Sequence, residues 1–288
     1  MNDLRKYLHT CLLATAALLV GGSPAWAQVS LGAASEFAVL GGTNVTCTGP
    51  GSITGDVGVS PGSAVPFTNT GCVITGAFPP ATNIAAAGAR TAFLSAYAAA
   101  QAESCTGTLL STITGPLTLY PGVYCTGAAL TGTGVLTLDA EGDANAVWIF
   151  KIGAALSGTG FSVVMAGGGQ ACNVYWAPGA GVTFSTSAVK GNILAGGATG
   201  SITMTDTILT GRALANVAVT MTGSSVIGCG AASGPPNCVV PPKPSCDTNH
   251  QHHKNCKLHD YDPPHCDGND DGWDSHWPFQ SKDKGGKW

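Results

Sequence analysis

Charge is scarce in this chain. Asp, Glu, Lys and Arg supply 10% of its 288 residues, where an ordinary soluble protein carries about a quarter. Between Gln28 and Val240 the only such side chains are Glu36, Asp56, Arg90, Glu103, Asp139, Glu141, Asp143, Lys151, Lys190, Asp206 and Arg212. With no clustered Lys or Arg there is no electrostatic footprint for nucleic acid or an acidic membrane surface. Histidine is absent from Gln28 to Asn249, which removes the most frequent general acid or base. Beyond the first 27 residues no run of about 18 uninterrupted apolar residues occurs, so no membrane-spanning helix is expected. Solubility must come from hydroxyls, amides and the backbone.

What the chain does have is 41 glycines and 44% hydrophobic residues, a composition for a real core bounded by many tight turns. The start reads as a secretory signal. Arg5 and Lys6 precede an apolar run from Cys11 to Val20, and Ala25-Trp26-Ala27 offers a small-x-small cleavage site, so residues 1–27 are expected to be removed. Ten of the eleven cysteines lie beyond that point, and an even number in an exported chain favours disulfides. Closeness in sequence suggests Cys47 with Cys72 and Cys105 with Cys125. Cys172, in an apolar stretch, is equally compatible with a buried free thiol.

One short phrase is written three times: Val182-Thr183-Phe184-Ser185, Ile202-Thr203-Met204-Thr205 and Val219-Thr220-Met221-Thr222. Successive side chains of a strand point to opposite faces. Val182, Phe184, Ile202, Met204, Val219 and Met221 would therefore face a core, and the hydroxyl residues would face water. Each phrase is followed by small residues and a glycine (Gly191, Gly211, Gly228). A repeat of about 20 residues is the signature of stacked β-solenoid coils, and stacking converts the phrase into a ladder of Thr and Ser.

Residues 31–80 read as short strands between turn marks such as Gly41-Gly42, Gly55-Asp56 and Pro61-Gly62. Residues 82–104 are Ala-rich, with Thr82 as a possible N-cap and Ile84, Phe93, Leu94 and Tyr97 on or near one stripe, which predicts a single amphipathic helix lying against the β-domain. From Thr106 to Gly230 the period-two pattern returns, with strands marked by Leu117, Leu119, Val135, Leu136, Leu138, Val147, Ile149, Val163, Val174 and Trp176. The expected organisation is a signal (1–27), a β-solenoid domain (28–230), a Pro-rich linker (231–245) and a tail (246–288).

Several stretches resemble, as an ordered set, the microbial ice-binding protein family. They are Leu31-Gly32-Ala33-Ala34 with Phe37-Ala38-Val39-Leu40, Gly55-Asp56-Val57-Gly58-Val59-Ser60-Pro61-Gly62, Pro121-Gly122-Val123-Tyr124 and Leu136-Thr137-Leu138-Asp139-Ala140. Ala146-Val147-Trp148-Ile149-Phe150, Ala171-Cys172-Asn173-Val174-Tyr175-Trp176, Lys190-Gly191-Asn192-Ile193-Leu194-Ala195 and Gly211-Arg212-Ala213-Leu214-Ala215 complete the set. The resemblance covers residues 31–228. It implies a mainly β fold, a right-handed discontinuous β-solenoid with one long α-helix alongside, to which this chain adds a small irregular Cys/His-rich C-terminal tail. It also implies ice, or ordered water, as the partner of a secreted protein, with no catalytic residue, cofactor or metal.

The candidate ice-contacting residues are Thr183, Ser185, Thr203, Thr205, Thr220 and Thr222, with Thr54 and Thr75 added from the N-terminal coils, where Thr46 and Thr48 also qualify. Rows along such a strand repeat every 6.6 to 6.8 Å and neighbouring coils every 4.7 to 4.9 Å, roughly, close to oxygen repeats in ice. A Thr methyl favours caged water while its hydroxyl can hold that water in place. The plainer reading of the same residues is that Thr suits any solvent-facing strand. The alternative function is a non-catalytic structural or adhesive surface protein on the same scaffold.

For an enzyme, Asp139, Glu141 and Asp143 form the only local acid cluster, and their context reads as a turn; Asp56 after Gly55 reads likewise. The tail gathers His250, His252, His253, His259, His265 and His276 with Cys238, Cys246, Cys256 and Cys266, but the cysteine spacing is poor for zinc and suits two disulfides better. Asp267-Gly268-Asn269-Asp270-Asp271-Gly272 matches half a calcium loop, yet its twelfth position is Pro278 instead of Glu. Trp273, Trp277, Phe279 and Trp288 could contact a polysaccharide or cell surface.

Overall fold

The computed structural model describes residues 29–62, 66–77 and 84–229, all within the first of two compact units, Met1–Ala232 and Ser233–Trp288. The signal, the Pro-rich linker, the tail and the Thr82 cap lie outside the described residues.

Apolar residues at every second position make strands, and glycines at the junctions let the chain turn after three to five residues. Each coil therefore lays one strand on each of three faces, and every strand pairing is parallel. The first face runs Thr112–Ile113, Leu130–Gly132, Leu156–Thr159, Val182–Ser185, Ile202–Thr205, Ala218–Thr222, then residues 44–48 and 67–70. The second runs Leu117–Leu119, Val135–Asp139, Ser162–Ala166, residues 188–190 and 208–210, Ser225–Ile227, then 52–54 and 72–74. The third runs Gly107–Thr108, Gly122–Thr126, Trp148–Ile152, Val174–Pro178, residues 192–195 and 212–215, Phe37–Gly41 and Asp56–Val59.

Chain order and stacking order differ, which makes the solenoid discontinuous. The last coil, residues 208–227, packs on the first strands of the chain: Leu214 pairs with Leu40, Thr220 with Thr46 and Val226 with Ile53. After two N-terminal coils the chain has to travel to the opposite end before winding back. The helix α1, Ile84–Ala102, makes that journey. Its 19 residues span about 28 Å, against about 34 Å for the seven intervals of an eight-strand face.

Alanine-rich sequence favours the helix intrinsically, and its buried stripe of Ala86, Ala89, Phe93, Ala96 and Ala100 follows the three-four spacing of one helical face. Small side chains let α1 approach the third face, where Val123, Ile149, Tyr175, Leu194, Leu214 and Leu40 complete the packing. Phe93 is fully buried, while Leu94 and Tyr97 flank it half-buried. The sequence expectation named the large residues and passed over the alanines, whose burial sets the distance. Polar ties fix the helix lengthwise: Arg90 donates to Asn216 Oδ1 and to the Ser60 and Asn216 carbonyls. Lys151 Nζ donates to the Glu103 carbonyl at 2.6 Å, a cation at the negative end of the helix dipole.

Inside the coils Tyr124, Phe150 and Trp176 stack in successive rungs, with the Phe150 and Trp176 centroids 4.1 Å apart. Two of the disulfides sit where a coil has only one neighbour. Cys47–Cys72 and Cys105–Cys125 form as expected, binding the coil at each end to the next one inward. Cys172 is not a free thiol: it pairs with Cys229. The apolar sequence around Cys172 belongs to the strand that follows it, and the cysteine itself lies half-buried in a single 3₁₀ turn where Cys229 can reach it.

Candidate functional site

In-register pairing turns the first face into two rows of hydroxyls. One row is Thr112, Thr131, Ser157, Thr183, Thr203, Thr220, Thr46 and Thr68. The other, two residues further along each strand, is Thr159, Ser185, Thr205, Thr222, Thr48 and Thr70. Inward positions between them hold the core, including Phe184, Met204, Met221 and Cys47, all fully buried. No register shift interrupts these rungs; the irregularity between residues 44–54 and 67–74 falls after Thr48, at the end of this face. A row of eight rungs is about 34 Å long, and the two rows stand about 6.7 Å apart.

The hydroxyls are exposed or half-buried, and almost all are uncommitted. Thr131 and Ser157 share a hydrogen bond at 3.2 Å, and Asn44 Nδ2 donates to Thr46 Oγ1 at 3.4 Å. Among the described residues the side-chain hydroxyls of the other eleven have no protein partner. Their donors and acceptors are left to water.

The corner that ends this face is held by hydroxyls of a different kind. Gly160, Thr186, Asp206 and Gly223 occupy successive rungs with φ of 61°, 46°, 48° and 59°, the left-handed conformation that turns the chain sharply. Their N–H groups donate to the Ser185, Thr205, Thr222 and Thr48 carbonyls of the neighbouring rung. Behind them Ser187, Thr207 and Ser224 are buried and return their hydroxyls to the Ser185, Thr205 and Thr222 carbonyls. The hydroxyl oxygens of Ser187, Thr207 and Ser224 in turn accept from the Phe161, Ser187 and Thr207 N–H groups. Buried polar atoms are thereby satisfied while the outer rows stay free.

Six of the residues singled out in the sequence, Thr183, Ser185, Thr203, Thr205, Thr220 and Thr222, come together on this face, and Thr46 and Thr48 extend it. Thr54 and Thr75 do not join them. Thr54 pairs with Ile227 on the second face, and Thr75 follows Ile74 there, because the chain turns a corner between Thr48 and Ser52. That face has a mixed outer surface: Val135, Val164, Ile208, Ile227 and Val73 are exposed, and Lys190 Nζ donates to Thr210 Oγ1. Lys190 is therefore removed from the hydroxyl rows. Asp206, the corner residue after Thr205, is the ionisable group nearest to them along the chain.

Sequence reasoning missed Thr112, Thr131, Ser157, Thr159, Thr68 and Thr70. In the rungs of Thr131, Ser157 and Thr68 the residue after the first hydroxyl is glycine or asparagine, which hides the apolar alternation, and the strand Thr112–Ile113 is too short to show one. Gly132 and Gly158 are glycines because a Cβ would sit 2.5 Å from the Phe161 ring and 2.7 Å from that of Phe184. The signal lay in the hydroxyl spacing of Leu156-Ser157-Gly158-Thr159.

The acid cluster is a turn: Asp139 and Asp143 accept the backbone N–H groups of Glu141 and Asn145, each at 2.9 Å. Asp56 accepts the Ala77 N–H at 2.7 Å.

A three-faced parallel β-solenoid with displaced coils, a flanking helix and one face of ordered hydroxyls defines a class of surface-recognition scaffold. The Ice-binding-like family profile matches residues 39–227, and the chain belongs to that family. An ice-binding protein of Nostoc sp. (strain HG1) is 40% identical over 213 residues, covering 68% of this chain and 72% of its relative. One from Flavobacterium frigoris (strain PS1) is 34% identical over 212 residues, covering 69% and 75%. The crystal structure of an ice-binding protein from the Antarctic ascomycete Antarctomyces psychrotrophicus superposes with a TM-score of 0.62 at 32% identity, covering 68% of this chain and 96% of that one.

Proposed function

We propose that this protein is exported and adsorbs to ice through the first face, with Thr183, Ser185, Thr203, Thr205, Thr220 and Thr222 at the centre of the contact and Thr46, Thr48, Thr131, Ser157 and Thr159 extending it. One observation carries the reading: two parallel rows of hydroxyls, nearly all unpaired within the protein and free of charge, repeat at the spacing of stacked strands. Methyl groups along the rows favour caged water, and hydroxyls anchor that layer at fixed positions, so it can merge with a growing crystal. A Lys or Glu in the rows would impose its own hydration instead. Bound molecules then pin the crystal surface and slow growth or recrystallisation, with no catalytic step.

Export is supported by the signal-like residues 1–27 and by three disulfides in the described residues, which persist in oxidising compartments. Among the described residues no helix is long and apolar enough to cross a membrane. The test is direct: a single ice crystal held in purified protein should become faceted, and a polycrystalline film should coarsen more slowly than in buffer. Growth as an unshaped disc would leave the scaffold to the adhesive alternative.

A further inference from the structure

Arg212, on the third face, carries a charge that the function above does not use. Its side chain is 7% exposed, and burying a cation without a counter-charge is costly. Its partners are all neutral: Nε and Nη2 donate to the Ser35 carbonyl, Nη2 also to the Cys229 carbonyl, and Nη1 to Asn192 Oδ1. Among the described residues no carboxylate lies within ion-pair reach of it. A guanidinium has five N–H donors. Four are occupied, and one on Nη1 remains.

Tyr175 stands beside it, 4% exposed, and its hydroxyl has no partner among the described residues. Every fully buried side-chain nitrogen or oxygen in the described residues is hydrogen-bonded, so this hydroxyl is open to space. Burial raises the Tyr175 pKa and the neighbouring guanidinium draws it back, which fits two groups close together and keeps the phenol protonated as a donor. Both residues line one open surface cavity of about 420 Å³, together with Val29, Ser30, Leu31, Ser35 and Asn173.

We propose that this cavity binds a small oxyanion, held between the remaining guanidinium N–H of Arg212 and the Tyr175 hydroxyl. The shared chemistry is two oxygens on one negatively charged centre, as a carboxylate or an inorganic oxyanion presents them. Such a ligand supplies the missing counter-charge, accepts both spare donors and bridges the N-terminal 3₁₀ turn, Gly32–Glu36, to the strand carrying Arg212. The hydroxyl face is separate from it.

The experiment titrates sodium acetate and, separately, sodium sulfate into the full chain in sodium chloride at fixed ionic strength, reading heat by calorimetry and the melting temperature. Saturable binding of one anion is expected, with the melting temperature rising as its concentration passes the dissociation constant. The acetate and sulfate arms identify the source. Tyr175→Phe keeps the ring and removes the donor; it should weaken binding by roughly tenfold or more, as loss of a hydrogen bond to a charged group does, while leaving ice shaping unchanged. Absence of saturable heat with both anions, or equal responses in wild type and Tyr175→Phe, overturns the proposal.

Discussion

The hydroxyl rows make activity depend on where along the solenoid they are broken. Replacing Thr203 with Tyr places a bulky ring at the fifth of eight rungs, leaving Thr112, Thr131, Ser157 and Thr183 on one side and Thr220, Thr46 and Thr68 on the other. The longest unbroken run falls from about 34 Å to about 14 Å. Thr68→Tyr, at the end of the same row, leaves seven rungs and about 29 Å. Both residues are exposed, so each change should move stability by no more than about 0.5 kcal/mol. Thermal hysteresis and crystal shape, measured beside circular dichroism and melting, should therefore rank wild type first, Thr68→Tyr slightly below and Thr203→Tyr far below. Ile208→Tyr, on the second face, should match wild type. Equal losses for Thr203→Tyr and Thr68→Tyr, or for Thr203→Tyr and Ile208→Tyr, would refute the dependence on run length.

Two stability predictions follow from the fold. Replacing Cys47 and Cys72 together by Ala opens a loop of 25 residues, which by chain entropy costs about 3 to 4 kcal/mol; urea denaturation reads this, and an unchanged midpoint would refute it. Burial raises the Tyr124 and Tyr175 phenols above their ordinary value of 10.0. A raised folded-state value favours the neutral form, so this stabilisation is complete below the unfolded-state pKa and disappears as pH climbs through the folded values. The denaturation midpoint should fall once pH exceeds about 10, less steeply in Tyr175→Phe, and a midpoint independent of pH through that range would count against the burial argument.

Much of this was legible in the chain because the repeated four-residue phrase fixes which side chains face in, and the Ala-rich stretch has no other way to bury its stripe. The central six hydroxyls were found for that reason. What stayed hidden depends on stacking order. Nothing in the local pattern reveals that Thr46 continues the row after Thr220, since 174 residues separate them and only the displaced coil brings them together. Thr54 was misassigned to the same surface because a strand that bends round a corner keeps its alternation while changing face. Gly132 and Gly158 broke the apolar pattern for a reason only the core shows, the rings of Phe161 and Phe184. The Cys172–Cys229 pairing, likewise, closes over 57 residues that sequence proximity could not bridge.

The interleaving of the last coil with the first has a consequence for how the molecule is made. When residues 29–77 leave the ribosome, the strands they must pair with have not been synthesised, and only the arrival of residues 208–227 completes the stack. Until then the early segment offers open backbone edges that cannot close on themselves. A polypeptide built this way postpones its final structure until residues 208–227 have been made, which suits the export proposed above, since an extended thread passes a translocation channel more readily than a closed stack.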